Sequence, residues 1–215
     1  MERKVLTEKL LTDFINEIKP FLDSLGVFNE ERDELAVARS FGSRFYVNLL
    51  AIKKHLELMD TLSATLIQRY NHEMLRDFFY IFGSPVSSAK AEEFFSYQDR
   101  LTKNPTLRGW KNIPKGKDIK DFIPPWVSDG KTSQKIYKYL SNLAHPNMIS
   151  MRLHRGVETS QDYVIENAIT LIVNDIATCF IFKPFRDAVF KDTNTEDFFF
   201  KMRDFQIRAA NILDM

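Results

Sequence analysis

Cysteine and glycine are scarce in this chain, with 1 Cys and 7 Gly in 215 residues. The lone Cys179 cannot form an internal disulfide, which fits a reducing compartment and leads us to expect a cytoplasmic protein. Its neighbours are apolar and none is basic, so it reads as a buried, inert thiol. No glycine-rich phosphate loop, nucleophile elbow or metal-ligand motif occurs, which argues against a conventional metabolic enzyme. His145 and His154 lack a second-ligand spacing or a supporting carboxylate pattern, so neither metal nor other cofactor is expected. The opening stretch MERKVLTEKLLTDF threads charges through its apolar positions and lacks the apolar run of a signal peptide. The most apolar later stretch, Val164 to Phe182, carries Glu166, Asn167, Asn174 and Asp175, too many polar groups for an unaided membrane span. No membrane partner is expected.

Hydrophobic residues make up 44% and charged residues 27% of the chain, ordinary values for a folded globular protein. Long stretches repeat apolar residues at helical spacing and few alternate as strands do. The expected fold is all-α: one domain, 1–215, built as a multi-helix bundle with a long irregular insertion between its third core helix and a later helix carrying Ser141 and His145. Leu6, Leu10, Phe14, Ile18, Phe21 and Leu22 mark a first helix, with Gly26 beyond it as terminator. Asn29 can cap a second, whose core face runs from Leu35 through Phe41, Phe45 and Leu49 to Ile52. His55, among lysines and glutamate, reads as a surface residue.

Asp60 or Thr61 caps a third helix reaching Phe82, closed by Gly83-Ser84-Pro85. It has two apolar faces, one with Ile67, Met74, Phe78 and Ile81 and the other with Leu75, Phe79 and Phe82. Between them runs a polar strip of Arg69, Glu73, Arg76 and Tyr80, which reads equally as a surface seam or as a groove inside the bundle. Ala89 to Tyr97 predicts a short helix. The stretch 99–130 then loses periodicity, gathers proline and glycine, and is read as the insertion, pinned by Trp110, Phe122, Ile123 and Trp126. From Asp162 to about Phe182 apolar residues occur all round the helix, which makes it central. Lys183-Pro184 breaks it, a turn follows, and Thr195 opens a last helix with the core stripe Phe198, Met202, Phe205, Ala209 and Ile212. Phe199 and Phe200 widen its apolar surface.

Charge is unevenly distributed. Net charge is +1, yet 100–155 carries 12 Lys or Arg against 3 Asp. A basic stretch of this kind attracts phosphate-bearing ligands, RNA among them. Within it lies Ile136 to Met148, IYKYLSNLAHPNM. Tyr137, Ser141 and His145 follow one another at single helical turns and project to one side. Pro146 ends the helix at or near His145, where the negative end of the helix dipole favours a protonated imidazole. His145 is thus placed either as a proton donor or as a helix cap bonded to a backbone carbonyl. Arg152, His154 and Arg155 add positive charge just beyond.

An arginine on one core helix, Arg76 in EMLRDFFYIF, paired with Tyr137, Leu140, Ser141 and His145 on a later one, resembles the HEPN-like helical superfamily. The likeness is closest to its uncharacterised bacterial branches with a Leu-Ser-x-x-x-His segment, and covers roughly 60–182. The resemblance implies a four-helix-type bundle, often dimeric, whose active members are metal-independent ribonucleases of toxin and phage-defence systems. It implies His145 and Arg76 as catalytic residues, with Lys138, Tyr137, Ser141, Asn142 and Arg152 holding the substrate. The usual superfamily signature has an arginine and then a histidine, separated by four to six intervening residues. Here Lys138, Tyr139 and Leu140 fill those positions, and a lysine lacks the planar fork of a guanidinium.

Two readings follow. One is an RNA-binding or RNA-cleaving domain of a bacterial defence or toxin type. The other is a non-catalytic helical interaction protein that pairs with a second copy or another partner.

Overall fold

The helix of residues 158–181 is the axis of the molecule, and its neighbours can be read from the side chains it meets. The structure, a computed structural model, describes residues 2–24, 34–58, 60–84, 87–104, 138, 141, 158–189 and 196–214. Among these it holds seven helices: α1 (Glu2–Ser24), α2 (Glu34–Glu57), α3 (Thr61–Phe82), α4 (Ser87–Lys103), α5 (Glu158–Ile181), α6 (Lys183–Val189) and α7 (Glu196–Leu213). The protein is an all-α multi-helix bundle, with no strand among the described residues. Nor is any described helix long and apolar enough to cross a membrane.

Paired contacts give the directions. His72 faces Asp175 and Phe79 faces Phe182, an equal step along both segments, so α3 and α5 run parallel. Asn48 meets Asn71 and Phe41 meets Phe78, so α2 runs against α3. Asp13 and Glu17 of α1 pair with Arg208 and Lys201 of α7, again antiparallel. Arg3 reaches Asn167 while Phe21 packs on Phe180, which sets α1 parallel to α5. Helix α5 thus packs against α1, α3, α6 and α7, the central position its all-round apolar pattern requires.

Most of the predicted stripes are buried, although Leu6 at the start of α1 is exposed and Leu22, Leu35, Ile67 and Phe198 are half-buried. Leu10, Leu11, Phe14, Ile15, Ile18 and Phe21 of α1 are buried, as are Met202, Phe205, Ala209 and Ile212 of α7. In α5 the buried hydroxyls of Thr170 and Thr178 donate to the carbonyls of Glu166 and Asn174, one turn back, so they enter the core already bonded. At the start of α3 the Asp60 carboxylate accepts from the Ser63 backbone N–H at 3.1 Å, the capping bond its sequence position called for.

Three boundaries differ from the sequence reading. Helix α4 extends to Lys103, beyond Tyr97 and into the stretch read as irregular. Phe94 and Phe95 pack on the core and Lys90 pairs with Glu93, so tertiary contact and a local ion pair carry a helix whose periodicity is weak. After Phe182 the chain forms α6 rather than a turn; Pro184 lies in the first turn, where its missing N–H breaks no helical bond. The helix of 158–181 also begins four residues earlier than Asp162. The caps at Gly26, Asn29 and Thr195 lie outside the described residues.

Candidate functional site

Helix α3 is where the sequence reading and the structure meet. Of the polar strip, Arg69 Nε and Glu73 Oε1 are 3.3 Å apart, both half-exposed. Tyr80, by contrast, is buried under α4, with Lys90 Nζ 4.8 Å from its ring centroid and 2.8 Å from Glu93 Oε2. Glu93 first and Tyr80 second raise the Lys90 ammonium above its ordinary range, because both favour the charged form. The strip is therefore a surface seam at Arg69 and Glu73 and a closed helix contact at Tyr80.

Arg76 lies within the continuous α3 helix. Lys138 and Ser141 are both helical, as expected for that segment; Lys138 is exposed, while Ser141 is half-buried with its hydroxyl oxygen shielded and without a protein partner. Tyr137, Asn142, His145 and Arg152 lie outside the described residues, and with them the juxtaposition of Arg76 and His145. His55, read as a surface residue, is half-buried, its Nδ1 3.0 Å from Asp60 Oδ2. Cys179 is fully buried; burial, and then the Asp175 carboxylate, push its thiol well above 9.0. It stays protonated and inert, as its sequence surroundings implied.

A second polar face of α3 escaped the sequence reading. Thr65, Gln68, Asn71 and His72 are all buried, on the side of the helix that also carries Ala64, Leu75 and Phe79. Asn48 of α2 donates from Nδ2 to Asn71 Oδ1 at 2.6 Å and lies 3.8 Å from Met74 Sδ. His72 Nδ1 stands 3.9 Å from Asp175 Oδ2 on α5. Between α1 and α5, Arg3 Nη2 donates to Asn167 Oδ1 at 2.7 Å and Nε lies 3.5 Å from Glu166 Oε2. The available signal was spacing: positions 65, 68 and 72 fall at helical intervals among apolar residues that must face inward.

With His72 only 2% exposed, its ring has no route to a substrate in solution. What this arrangement does is fix how α2, α3 and α5 sit together, since each buried polar group has few geometries that satisfy it. No group of three or more His, Cys, Asp or Glu among the described residues is arranged to hold a metal ion. An open groove of about 550 Å³ on α4 is lined by Glu92, Glu93 and Asp99 with Arg100, a surface whose charge repels a phosphate backbone. The chain matches no protein-family model, no curated protein and no solved structure.

Proposed function

We propose that this protein is a HEPN-like, RNA-binding helical domain of a bacterial defence or toxin type that cleaves RNA without a metal ion. The observation that carries the reading is the pairing of Arg76 on a core helix with the Tyr-x-x-Leu-Ser-x-x-x-His segment, set in a stretch of 12 Lys or Arg against 3 Asp. Helical geometry at Lys138 and Ser141, with the Ser141 hydroxyl shielded from solvent, supports reading these two positions as part of a helix.

In this reading His145 shuttles a proton to or from the reacting oxygens: the ribose 2′-oxygen loses its proton and bonds to the adjacent phosphorus, giving a 2′,3′-cyclic phosphate, while the P–O5′ bond breaks and the 5′-oxygen leaves as a hydroxyl. Arg76 and Lys138 offset the charge that builds on the phosphoryl oxygens. Tyr137, Ser141 and Asn142 orient these groups, and Arg152 holds the flanking phosphate. The 2′-hydroxyl is the nucleophile, so DNA of the same sequence stays intact. The test is incubation of the purified protein with RNA in chelator, beside His145→Ala. Cleavage by the wild type and a loss of at least about 10²-fold in the variant are expected. Intact RNA with the wild type overturns the nuclease reading.

A second reading rests on exposed apolar side chains. Val47 and Leu50 of α2 and Leu66 and Tyr70 of α3 are exposed, and Phe200 and Ile207 of α7 are 68% and 60% exposed at i, i+7 on one face. Faces of this kind suit a helical interaction protein, a second copy of the chain being the simplest partner. Light scattering across a concentration range tests it; a mass that stays at 25.2 kDa counts against self-association.

A further inference from the structure

Gln68 and Asn71 are each 2% exposed, and each carries a side-chain atom that meets neither solvent nor another protein group: the acceptor Gln68 Oε1 and the donor Asn71 Nδ2. They stand three residues apart on α3 and leave the same side of the helix. Asn71 points at Asn48 of α2, His72 at Asp175 of α5, and on the helical wheel Gln68 lies between these two directions. Both amides therefore lie on the inward side of α3, in the seam between its contacts with α2 and with α5.

Orphaned amide groups at such depth are rare in native proteins, because each forfeits its hydration without regaining a hydrogen bond. Inverting the Asn71 amide does not remove the difficulty. Its Oδ1 accepts from Asn48 Nδ2 at 2.6 Å, and inversion would set two NH₂ groups face to face. Nor do the two atoms bond each other directly. Their needs are complementary, however: one molecule that both donates and accepts satisfies Oε1 and Nδ2 together. Beside them, the 3.9 Å between His72 Nδ1 and Asp175 Oδ2 is longer than a direct hydrogen bond, a spacing typical of a hydrated polar layer.

We infer that the seam between α2, α3 and α5 binds a structural water held between Gln68 Oε1 and Asn71 Nδ2. The molecule is part of the fold, and the inference is independent of the RNA reading. Its further O–H and lone pair remain for other polar groups of the seam, as buried waters commonly make about three hydrogen bonds. A polar layer completed this way holds α3 at one rotation about its axis, because turning the helix by one residue would strand every group in it.

Water-selective NMR on isotope-labelled full-length protein tests the assignment. In the wild type the Asn71 side-chain amide protons are expected to show cross-peaks to a long-lived water, and these disappear in Gln68→Met, which keeps the volume and removes the acceptor. Wild-type protein without the cross-peaks overturns the inference, as does their persistence in the variant. Should Gln68→Met fail to fold, a high-resolution crystal structure of the wild type decides. A water within hydrogen-bond distance of both atoms supports the site; direct bonding of Gln68 to Asn71, or a dry contact, overturns it.

Discussion

The two halves of α3 turn chemically opposite side chains inward. From Thr65 to His72 its inward side offers Thr65, Gln68, Asn71 and His72; from Met74 to Phe82 it offers Leu75, Phe78, Phe79, Ile81 and Phe82. The second half sits in a shell of aromatic rings. Phe78 has its centroid 5.9 Å from Phe41, 4.9 Å from Phe82 and 5.2 Å from Phe185, mostly in edge or tilted contacts. On α5 the two kinds are mixed: Ile169, Ile172 and Val173 are buried near Thr170, and Thr178 is buried near Phe180. Hydrocarbon packs in many arrangements of similar energy, whereas paired amides accept few. Along α3, therefore, the aromatic half contributes mainly packing and the polar half mainly geometric selection.

The largest effect that tests this division is expected at Phe78. Phe78→Ala removes a fully buried ring from the aromatic shell and should cost about 3–5 kcal/mol of unfolding free energy in denaturant titrations. A loss below about 1 kcal/mol would mean that the shell is loosely packed and the contrast overstated.

A smaller effect, with a sharper signature, is expected in the polar half. Asn48→Ala should cost about 1–3 kcal/mol, because it leaves Asn71 Oδ1 buried without its donor. Replacing both residues by leucine should cost less than the single change, since no stranded polar group then remains. A double-mutant cycle measures the coupling. If the two single changes simply add, the pair selects no geometry and the contrast fails.

The smallest effect belongs to the cap that starts the polar half. Ser63, through its hydroxyl and backbone N–H, and then His55 hold the Asp60 carboxyl below its ordinary 3.8. A depressed carboxyl pKa contributes stability above the unfolded value, and that contribution is lost as pH falls through the folded one. Asp60→Asn, which keeps the cap but not the charge, should therefore flatten the fall in melting temperature below about pH 4, while Asp60→Ala costs about 1 kcal/mol at neutral pH. Unchanged acid sensitivity in Asp60→Asn would place the titrating groups elsewhere.

Much of the bundle was legible in the sequence because helical periodicity is local. Leu10, Phe14 and Ile18 announce a buried stripe whatever they pack against, and Asp60 can cap α3 with no distant partner. Thr65, Gln68, Asn71 and His72 were passed over for the converse reason. A buried amide looks like an exposed one until the residue that bonds it is known, and Asn48 lies 23 positions away. The Arg69–Tyr80 strip shows the same limit: spacing put four residues on one side of α3, but the position of α4 decided that Tyr80 is covered while Arg69 and Glu73 stay half-exposed. The candidate site was legible as a motif only, since the spacing of Tyr137, Ser141 and His145 fixes a shared helix side and says nothing about what Arg76 faces.

By itself, then, the sequence determined an all-helical chain, the inward stripe of most helices, the cap at Asp60 and the inert Cys179. Only the tertiary structure decided that α5 is surrounded by α1, α3, α6 and α7, that α3 and α5 run parallel, and that the core changes from amides to aromatic rings along α3. The reason is range: a helix and its apolar side follow from neighbours a turn apart, whereas the bonding of a buried polar group depends on residues the chain brings back from far along its length.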